Sequence, residues 1–183
     1  IRVDGNSEIG LGHIYRGIAL AEMLYSEFSI EFIVKHKTSL SPITSSKFNH
    51  RVLPLEITLL DEPAWFNKNY SKDTIIILDG YDFVELYQLK IKEFDFKLVY
   101  IDDLALGRQK ADLVINHNPA AKKSDYKAEE YSILALGIDY AILRPSFLAV
   151  RNQKILNRDA VFICFGGADN KNLTFKTAKI LLE

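Results

Sequence analysis

The stretch RVDGNSEIGLGHIYRGIALA, residues 2–21, leads from a short apolar run, through a loop with Gly10, Gly12 and His13, into a periodic pattern. Apolar residues recur at steps of three and four from Ile14 to Phe28, which predicts an amphipathic helix over that range. The order is therefore strand, glycine turn, helix.

Further apolar runs of strand length indicate a sheet that is buried on both faces. The runs lie at 1–3, 30–34, 74–79, 97–102, 112–116, 132–137 and 160–165. Their apolar residues are consecutive rather than alternating, as expected for parallel strands covered by helices on both sides. We predict an α/β fold, a Rossmann-like parallel sheet with flanking helices, and a second clear helix over 83–94.

A polar segment after Pro145 suggests a domain boundary. Residues 146–158 are more polar, and strand, glycine turn and helix signals then resume. We predict an N-terminal Rossmann-like domain over 1–145, a linker over 146–158, and at 159–183 the first βα unit of a truncated second domain. The alternative is an extra edge strand of a single domain.

Composition excludes several classes of function. Hydrophobic residues make up 48% and charged residues 26% of 183 positions, and the net charge is -1. No apolar run approaches the roughly 18 residues of a membrane span, and no basic block indicates a nucleic-acid partner. The single cysteine, Cys164 in the run VFICF, allows no disulfide within the chain, is expected to be buried, and suits a cytoplasmic protein.

The glycine loop favours an anionic or sugar ligand. Gly10 and Gly12 allow the backbone a sharp turn and a close approach to a ligand, and the following helix offers free N–H groups to a phosphate. A dinucleotide fingerprint needs glycine where Tyr15 stands and an acidic residue where the second strand ends in Lys35 and His36. No cofactor is therefore expected.

His13 lies at the predicted helix N-terminus, at the sheet edge where open α/β folds bind ligands. The helix dipole disfavours the imidazolium there, and a neutral ring can accept a proton from an attacking water. We therefore consider His13 a candidate general base. The alternative is a histidine that caps the helix or packs on the loop.

The opening stretch and several later segments resemble one family. The later segments are IILDGYD (76–82), YIDDLA (100–105), DLVINHNPAA (112–121), SDYK (124–127), GIDYAILRPSF (137–147) and FGGADNKNLT (165–174). In this order they are similar to the pseudaminic-acid pathway hydrolases, which remove UDP from a diacetamido-trideoxy-altropyranose nucleotide sugar, and to spore-coat polysaccharide proteins. That family resembles GT-B glycosyltransferases, with two Rossmann-like domains and the substrate between them.

The resemblance implies that His13 activates water for attack at the anomeric carbon, with inversion, loss of UDP and no metal. It also implies a UDP-sugar ligand and a set of substrate-binding residues. These are Gly10, Gly12, Arg16, Asp79, Tyr81, Asn116, Arg144, Gly166, Gly167, Asp169 and Asn172.

Three of these residues, and Asp4 beside them, each have two interpretations. Arg16 contacts the substrate or its phosphates, or is a surface ion-pair residue. Asp4 orients His13 or, as we favour, ties down the loop. Asp79 contacts the ligand or caps a turn, and Arg144 contacts the diphosphate or braces the domain junction.

The polar residues that follow later strands have simpler interpretations. Asp102 and Asp103 form a carboxylate pair without a clear third ligand, so no metal site is predicted. Asn116 is expected to hydrogen-bond acetamido groups, and His117 to be a loop residue. The second glycine turn is expected to meet the nucleotide, or else to be a plain turn in which Asn170 or Asn172 caps the helix.

Three functions stay open at this point. The first is a hydrolase that releases UDP in surface polysaccharide or nonulosonic acid biosynthesis. The second is a glycosyltransferase of the same fold, and the third a non-catalytic sugar-nucleotide binding module. Because the family's later second-domain segments have no counterpart here, we expect residues 1–183 alone to be inactive.

Overall fold

The computed structural model describes residues 1–150, 160–166 and 169–182. The strands are β1 (Arg2–Val3), β2 (Glu31–Val34), β3 (Asn49–Val52), β4 (Ile75–Asp79), β5 (Lys97–Ile101), β6 (Arg108–Gln109), β7 (Leu113–Asn116), β8 (Lys127–Ala128) and β9 (Ile133–Leu136). The α-helices are α1 (Gly12–Leu24), α2 (Ser41–Thr44), α3 (Glu62–Asn69), α4 (Glu85–Lys92), α5 (Pro145–Ala149) and α6 (Leu173–Leu182).

Seven strands form one sheet in the order β3-β2-β1-β4-β5-β7-β9, and every neighbouring pair is parallel. Strands β6 and β8 form a separate parallel pair. The chain starts at β1, moves outward to β3, and returns to the other side of β1 as β4. This reversal opens a crevice at the carboxyl ends of β1 and β4, where such folds bind ligands. The α/β, Rossmann-like prediction is confirmed.

The sheet is buried because helices cover its faces. On one face, Leu78 and Leu98 pack with Phe66 of α3 and with Tyr87 and Ile91 of α4. Burying a side chain of this size stabilises the fold by about 1.5–3 kcal/mol. The consecutive apolar residues of β4 and β5 are therefore needed, since the other face also carries a helix.

That other helix is α1, which confirms the amphipathic pattern but ends earlier than predicted. Ile14 and Ile18 pack with Phe32 of β2 in a second core cluster. The helix begins at Gly12 and ends at Leu24, and Phe28 is 46% exposed. The predicted extension to Phe28 is wrong because the chain turns away after Leu24.

Other differences from the sequence prediction concern an unpredicted strand and a predicted strand that the described residues do not form. Strand β3 was not predicted, since its residues Asn49–Val52 are mostly polar and lie at the sheet edge. The predicted strand at 160–165 is wrong: these residues pair with no strand among those described, and Cys164, expected to be buried, is exposed. Residues 151–159, most of the predicted linker, lie outside the described residues.

A buried ionic network anchors the short central strand β1. The Arg2 guanidinium donates to both carboxylate oxygens of Glu62 in α3, from Nε at 2.7 Å and Nη2 at 3.0 Å. The Tyr87 hydroxyl donates to Glu62 Oε2 at 2.7 Å. All three side chains are almost completely buried. Because buried charges are costly unless paired, this network holds β1 against α3 and α4.

We expect Glu62→Gln to lower the free energy of unfolding by about 3 kcal/mol, because it leaves the buried Arg2 charge with less compensation. Urea denaturation measures the change. Glu56→Gln is the control: Glu56 is exposed, and its substitution is expected to change stability by less than about 0.5 kcal/mol. Equal effects at the two positions would contradict a stabilising role for the network.

Candidate active site

The loop between β1 and α1 has a fixed conformation. Asn6 pairs with Gly10 in an isolated antiparallel bridge, and the Asn6 side-chain oxygen accepts hydrogen bonds from the amides of Glu8 and Ile9. Gly10 has φ +84°, a conformation that favours glycine. The loop therefore folds on itself before the chain enters α1.

Gly5 brings this loop close to the helix, and Gly12 begins the helix. A Cβ at Gly5 would lie 2.8 Å from Ile14 Cδ1 and 2.9 Å from the Gly10 carbonyl oxygen, so only glycine fits there. Gly12, the first residue of α1, has open space where a Cβ would stand. Leu11 provides no side-chain cap to the helix, which leaves its first amides available to a ligand.

His13 is held by a buried carboxylate from the neighbouring strand. Its Nδ1 lies 2.7 Å from Oδ1 of Asp79, the last residue of β4. Asp79 is completely buried, whereas the His13 side chain is 14% exposed. Asp79, for which the sequence left a ligand contact and a turn cap open, therefore faces His13 across the crevice.

Arg16, one turn along α1, joins Asp79 to a second carboxylate. It donates to Asp79 from Nε at 2.8 Å and Nη2 at 2.6 Å. It also donates to Asp103, just after β5, from Nη1 at 2.6 Å and Nη2 at 2.9 Å. Four of the five N–H donors of this guanidinium are thus used inside the protein. Arg16 is a partly buried clamp rather than a surface ion-pair residue.

Arg16 and Asp103 are both charged in the folded protein. Burial alone lowers the pKa of Arg16, but the hydrogen bonds and charges of Asp79 and Asp103 outweigh it and raise that pKa above the ordinary value. Burial alone raises the pKa of Asp103, but Arg16, with smaller contributions from His13 and His117, lowers it. The ion pair is therefore intact at neutral pH.

The hydrogen bonds assign the tautomer of His13. Nη2 of Arg16 lies 3.2 Å from His13 Nδ1, but its two hydrogens already go to Asp79 Oδ1 and Asp103 Oδ2. Nδ1 of His13 must then carry the hydrogen that Asp79 accepts. A neutral ring in this tautomer has its lone pair on Nε2, which can accept a proton.

Tyr81 lies beside this imidazole. Gly80 adopts φ +153°, which favours glycine and turns the chain directly after Asp79. The Tyr81 ring is edge-on to His13 with 4.9 Å between centroids, and the tyrosine is 58% exposed. An exposed aromatic side chain in contact with the candidate base is available to a ligand.

Asp4 ties down the loop, as favoured from sequence, and does not contact His13. Its Oδ1 accepts hydrogen bonds from the Lys35 amide at 2.7 Å and the Thr38 hydroxyl at 2.6 Å. Its Oδ2 pairs with Arg2 at 2.7 Å. The orienting role considered for Asp4 belongs to Asp79.

Asn116 is part of the protein's own scaffold. Its side chain is buried, donates to the Tyr126 hydroxyl and accepts from the Asn118 amide. The Tyr126 hydroxyl in turn donates to Asp102. His117 follows β7 as a loop residue, and its Nδ1 is buried with no partner among the described residues. The structure gives no support to a ligand contact at Asn116.

Among the described residues, neither Arg144 nor the second glycine turn takes part in these contacts. The Arg144 guanidinium is 5.2 Å from the Tyr15 ring centroid, which braces the segment before α5 against α1. Asp169 accepts from the Leu173 and Thr174 amides and so caps α6, in place of the expected Asn170 or Asn172. The remaining members of the predicted turn are Gly166, with φ +78°, Asn172, with φ +50°, and Gly167, which lies outside the described residues.

His13, Arg16 and Asp79 are all candidate site residues from the sequence, but the contacts among them are not predicted from it. The sequence predicted Asp102 and Asp103 to form a pair, whereas in the structure Asp103 binds Arg16 and Asp102 binds Tyr126. The available signal was position, since Asp79 ends β4 and Asp103 comes shortly after the neighbouring strand β5, both at the carboxyl ends of the strands. Within the described ranges, no group of three or more His, Cys, Asp or Glu side chains could hold a metal ion.

The fold and site define a Rossmann-like domain with a carboxylate-bound histidine at its ligand-binding edge. No family model matches the chain. It is 29% identical, over 98% of its length, to the UDP-2,4-diacetamido-2,4,6-trideoxy-beta-L-altropyranose hydrolase of Campylobacter jejuni. It is 27% identical, over 96% of its length, to the spore coat polysaccharide biosynthesis protein SpsG of Bacillus subtilis. These relatives confirm the resemblance seen in the motifs.

A further relative is an uncharacterised protein of Methanocaldococcus jannaschii, 29% identical over 100% of the chain. The chain spans 39%, 64% and 52% of the lengths of the archaeal, Campylobacter and Bacillus proteins. Within the part of the chain that the structure describes, no helix has the length and apolar character needed to span a bilayer.

The contacts of Asp4 predict a pH-dependent contribution to stability. Burial alone raises the pKa of Asp4, but Arg2, Lys35 and Thr38 outweigh it and lower that pKa below 3.8. The stabilisation that the Asp4 carboxylate gives the folded state is therefore complete above pH 3.8, and it is lost as the pH falls through the lowered pKa of Asp4. We expect Asp4→Asn to be less stable than wild type at pH 5–7, and this difference to shrink below about pH 4.

Urea unfolding at several pH values measures this difference. Asp139 is exposed, so Asp139→Asn serves as the control and is expected to change stability little at any pH. A gap between wild type and Asp4→Asn that grows on acidification would contradict the assigned contacts.

Proposed function

We propose that the protein is a nucleotide-sugar hydrolase that releases UDP from a UDP-linked diacetamido-trideoxy sugar, in surface polysaccharide or nonulosonic acid biosynthesis. The observation that carries the proposal is the bond from His13 Nδ1 to the buried Asp79 carboxylate. It leaves Nε2 as the proton acceptor at the ligand edge of the sheet. The named hydrolase among the relatives supports the reaction class.

In the proposed step, the oxygen of a water molecule attacks the anomeric carbon while its proton passes to Nε2 of His13. The bond from that carbon to the phosphate oxygen breaks, and UDP leaves with the electron pair. Attack opposite to the leaving group inverts the anomeric configuration. The imidazolium then returns its proton to solvent. Asp79 stabilises this imidazolium and fixes the ring, as a carboxylate does in related acid–base pairs.

Charge separates the proton acceptor from the diphosphate. Two carboxylates, Asp79 and Asp103, surround one guanidinium, so the cluster has a net charge of about -1 while His13 is neutral. This charge repels a diphosphate and stabilises the positive charge that develops on the ring and sugar. The uncapped start of α1 at Gly12 attracts the diphosphate instead. The sugar then lies between the two.

Tyr81 and the second glycine turn supply the remaining proposed contacts. Tyr81 is exposed and touches His13, so its ring is available to pack against the sugar. The loop with Gly166, Gly167 and Asn172 is proposed to meet the nucleotide, while the Asp169 carboxylate caps α6. Arg144 remains a proposed diphosphate contact.

We expect full-length protein to release UDP from the Campylobacter enzyme's named substrate with water as sole acceptor, and His13→Ala to lower kcat at least about 100-fold. Asp79→Asn is expected to cost a similar factor, because an amide can hold the wrong tautomer. Phosphorus NMR follows UDP directly. His36→Ala, at an exposed histidine, is the control and should keep wild-type turnover.

A His13→Ala enzyme with turnover within twofold of wild type would rule out the proposed base. Release of UDP only when a sugar or lipid hydroxyl is added would indicate a transferase. Binding of the nucleotide sugar without any turnover would indicate a binding module.

Gly12→Ala tests the proposed phosphate site separately from the base. Gly12 has room for a Cβ and is not among the glycines with positive φ, so the variant should be about as stable as wild type. The methyl group would occupy the space where the diphosphate approaches. We expect KM for the nucleotide sugar to rise about tenfold, equivalent to about 1.4 kcal/mol. Thermal unfolding checks the fold, and an unchanged KM would place the diphosphate elsewhere.

A further inference from the structure

Asp103, just after β5, is the second carboxylate that binds Arg16. Asp79 of β4 is in register with Ile101 of β5, and Asp103 follows two residues after Ile101. Arg16 spans the gap between the two strand ends and binds each carboxylate through two N–H groups. Its guanidinium is therefore held along two edges.

The hydrogen bonds from Arg16 to Asp103 restrict a motion that the hydrogen bonds to Asp79 alone would allow. With Asp79 alone, Arg16 would keep Nη1 unbound and could tilt about the remaining contacts. The bonds to Asp103, at 2.6 and 2.9 Å, fix the plane of the guanidinium. They also consume the Nη2 hydrogen that would otherwise point toward His13 Nδ1, 3.2 Å away. Asp103 thus helps to keep Nδ1 as a donor to Asp79.

Asp103 also adds charge to the surroundings of His13. The groups that face the ring are Asp79 at the end of β4, Tyr81 after it, and Arg16 on α1. One carboxylate would only neutralise Arg16, so Asp103 supplies the excess negative charge. This charge favours the imidazolium that forms when the ring accepts a proton.

We propose that Asp103 is a positioning residue: it acts through Arg16 and Asp79 to hold His13 in the tautomer with hydrogen on Nδ1 and the lone pair on Nε2. It need not touch the substrate. The kinetic consequence rests on the proposed function, but the state of the ring does not.

The test compares Asp103→Asn with wild-type full-length protein by nitrogen-15 NMR of the histidine rings and by kinetics. We expect mixed tautomers at His13, a kcat about tenfold lower and a KM within twofold. Asp103→Glu should recover part of kcat and the wild-type spectrum.

Asp112→Asn is the matched control, because Asp112 directly precedes β7, at the amino end of that strand, and pairs with Lys92. It removes an ion pair of similar exposure and should change neither the His13 resonances nor kcat. If Asp103→Asn does not fold, Arg16→Lys replaces it: lysine keeps the charge, loses the two-edged grip, and should give the same mixed tautomers.

A wild-type tautomer in Asp103→Asn, or in Arg16→Lys where that variant is needed, would overturn the proposal. So would a loss of kcat that Asp112→Asn reproduces. If the wild-type protein releases no UDP, the proposed function fails, while the NMR comparison still decides the role of Asp103.

Discussion

The structure depends on one buried carboxylate, that of Asp79. It lies at the point where the strand order reverses between β1 and β4, and it is completely shielded from water. An unpaired charge there would cost several kcal/mol, so it needs partners from the other side of the crevice. His13 and Arg16 supply them, both from the first turns of α1. The pairing of Asp79 therefore also sets where α1 begins relative to the sheet.

A second constraint is the length of the central strand. β1 has only two residues, Arg2 and Val3, and so makes few backbone hydrogen bonds to β2 and β4. Side chains compensate on both sides of it. Arg2 binds Glu62 of α3 on one face of the sheet. Asp4 accepts a hydrogen bond from the amide of Lys35, the residue directly after β2. The loop that carries His13 thus starts from a strand held largely by charged groups.

Most of the fold could be predicted from the sequence, because buried parallel strands are marked by consecutive apolar residues. The exceptions have physical causes. β3 is a polar edge strand, and residues 160–165 are apolar but have no strand to pair with among the described residues. His13 was found from a local pattern, whereas its contact to Asp79 joins residues 66 positions apart and the contact of Arg16 to Asp103 joins residues 87 positions apart. Sequence places Asp79 and Asp103 at the same edge but does not say which side chains they bind.

The arrangement of charges explains why a helix N-terminus is compatible with the proposed proton acceptor. The dipole of α1 disfavours a positive ring at His13, but Asp79 lies 2.7 Å away and favours it. The dipole instead acts on the open side of the helix, at Gly12, where no side chain intervenes. One helix end can therefore receive an anion on its outer surface while its inner surface stabilises a cation.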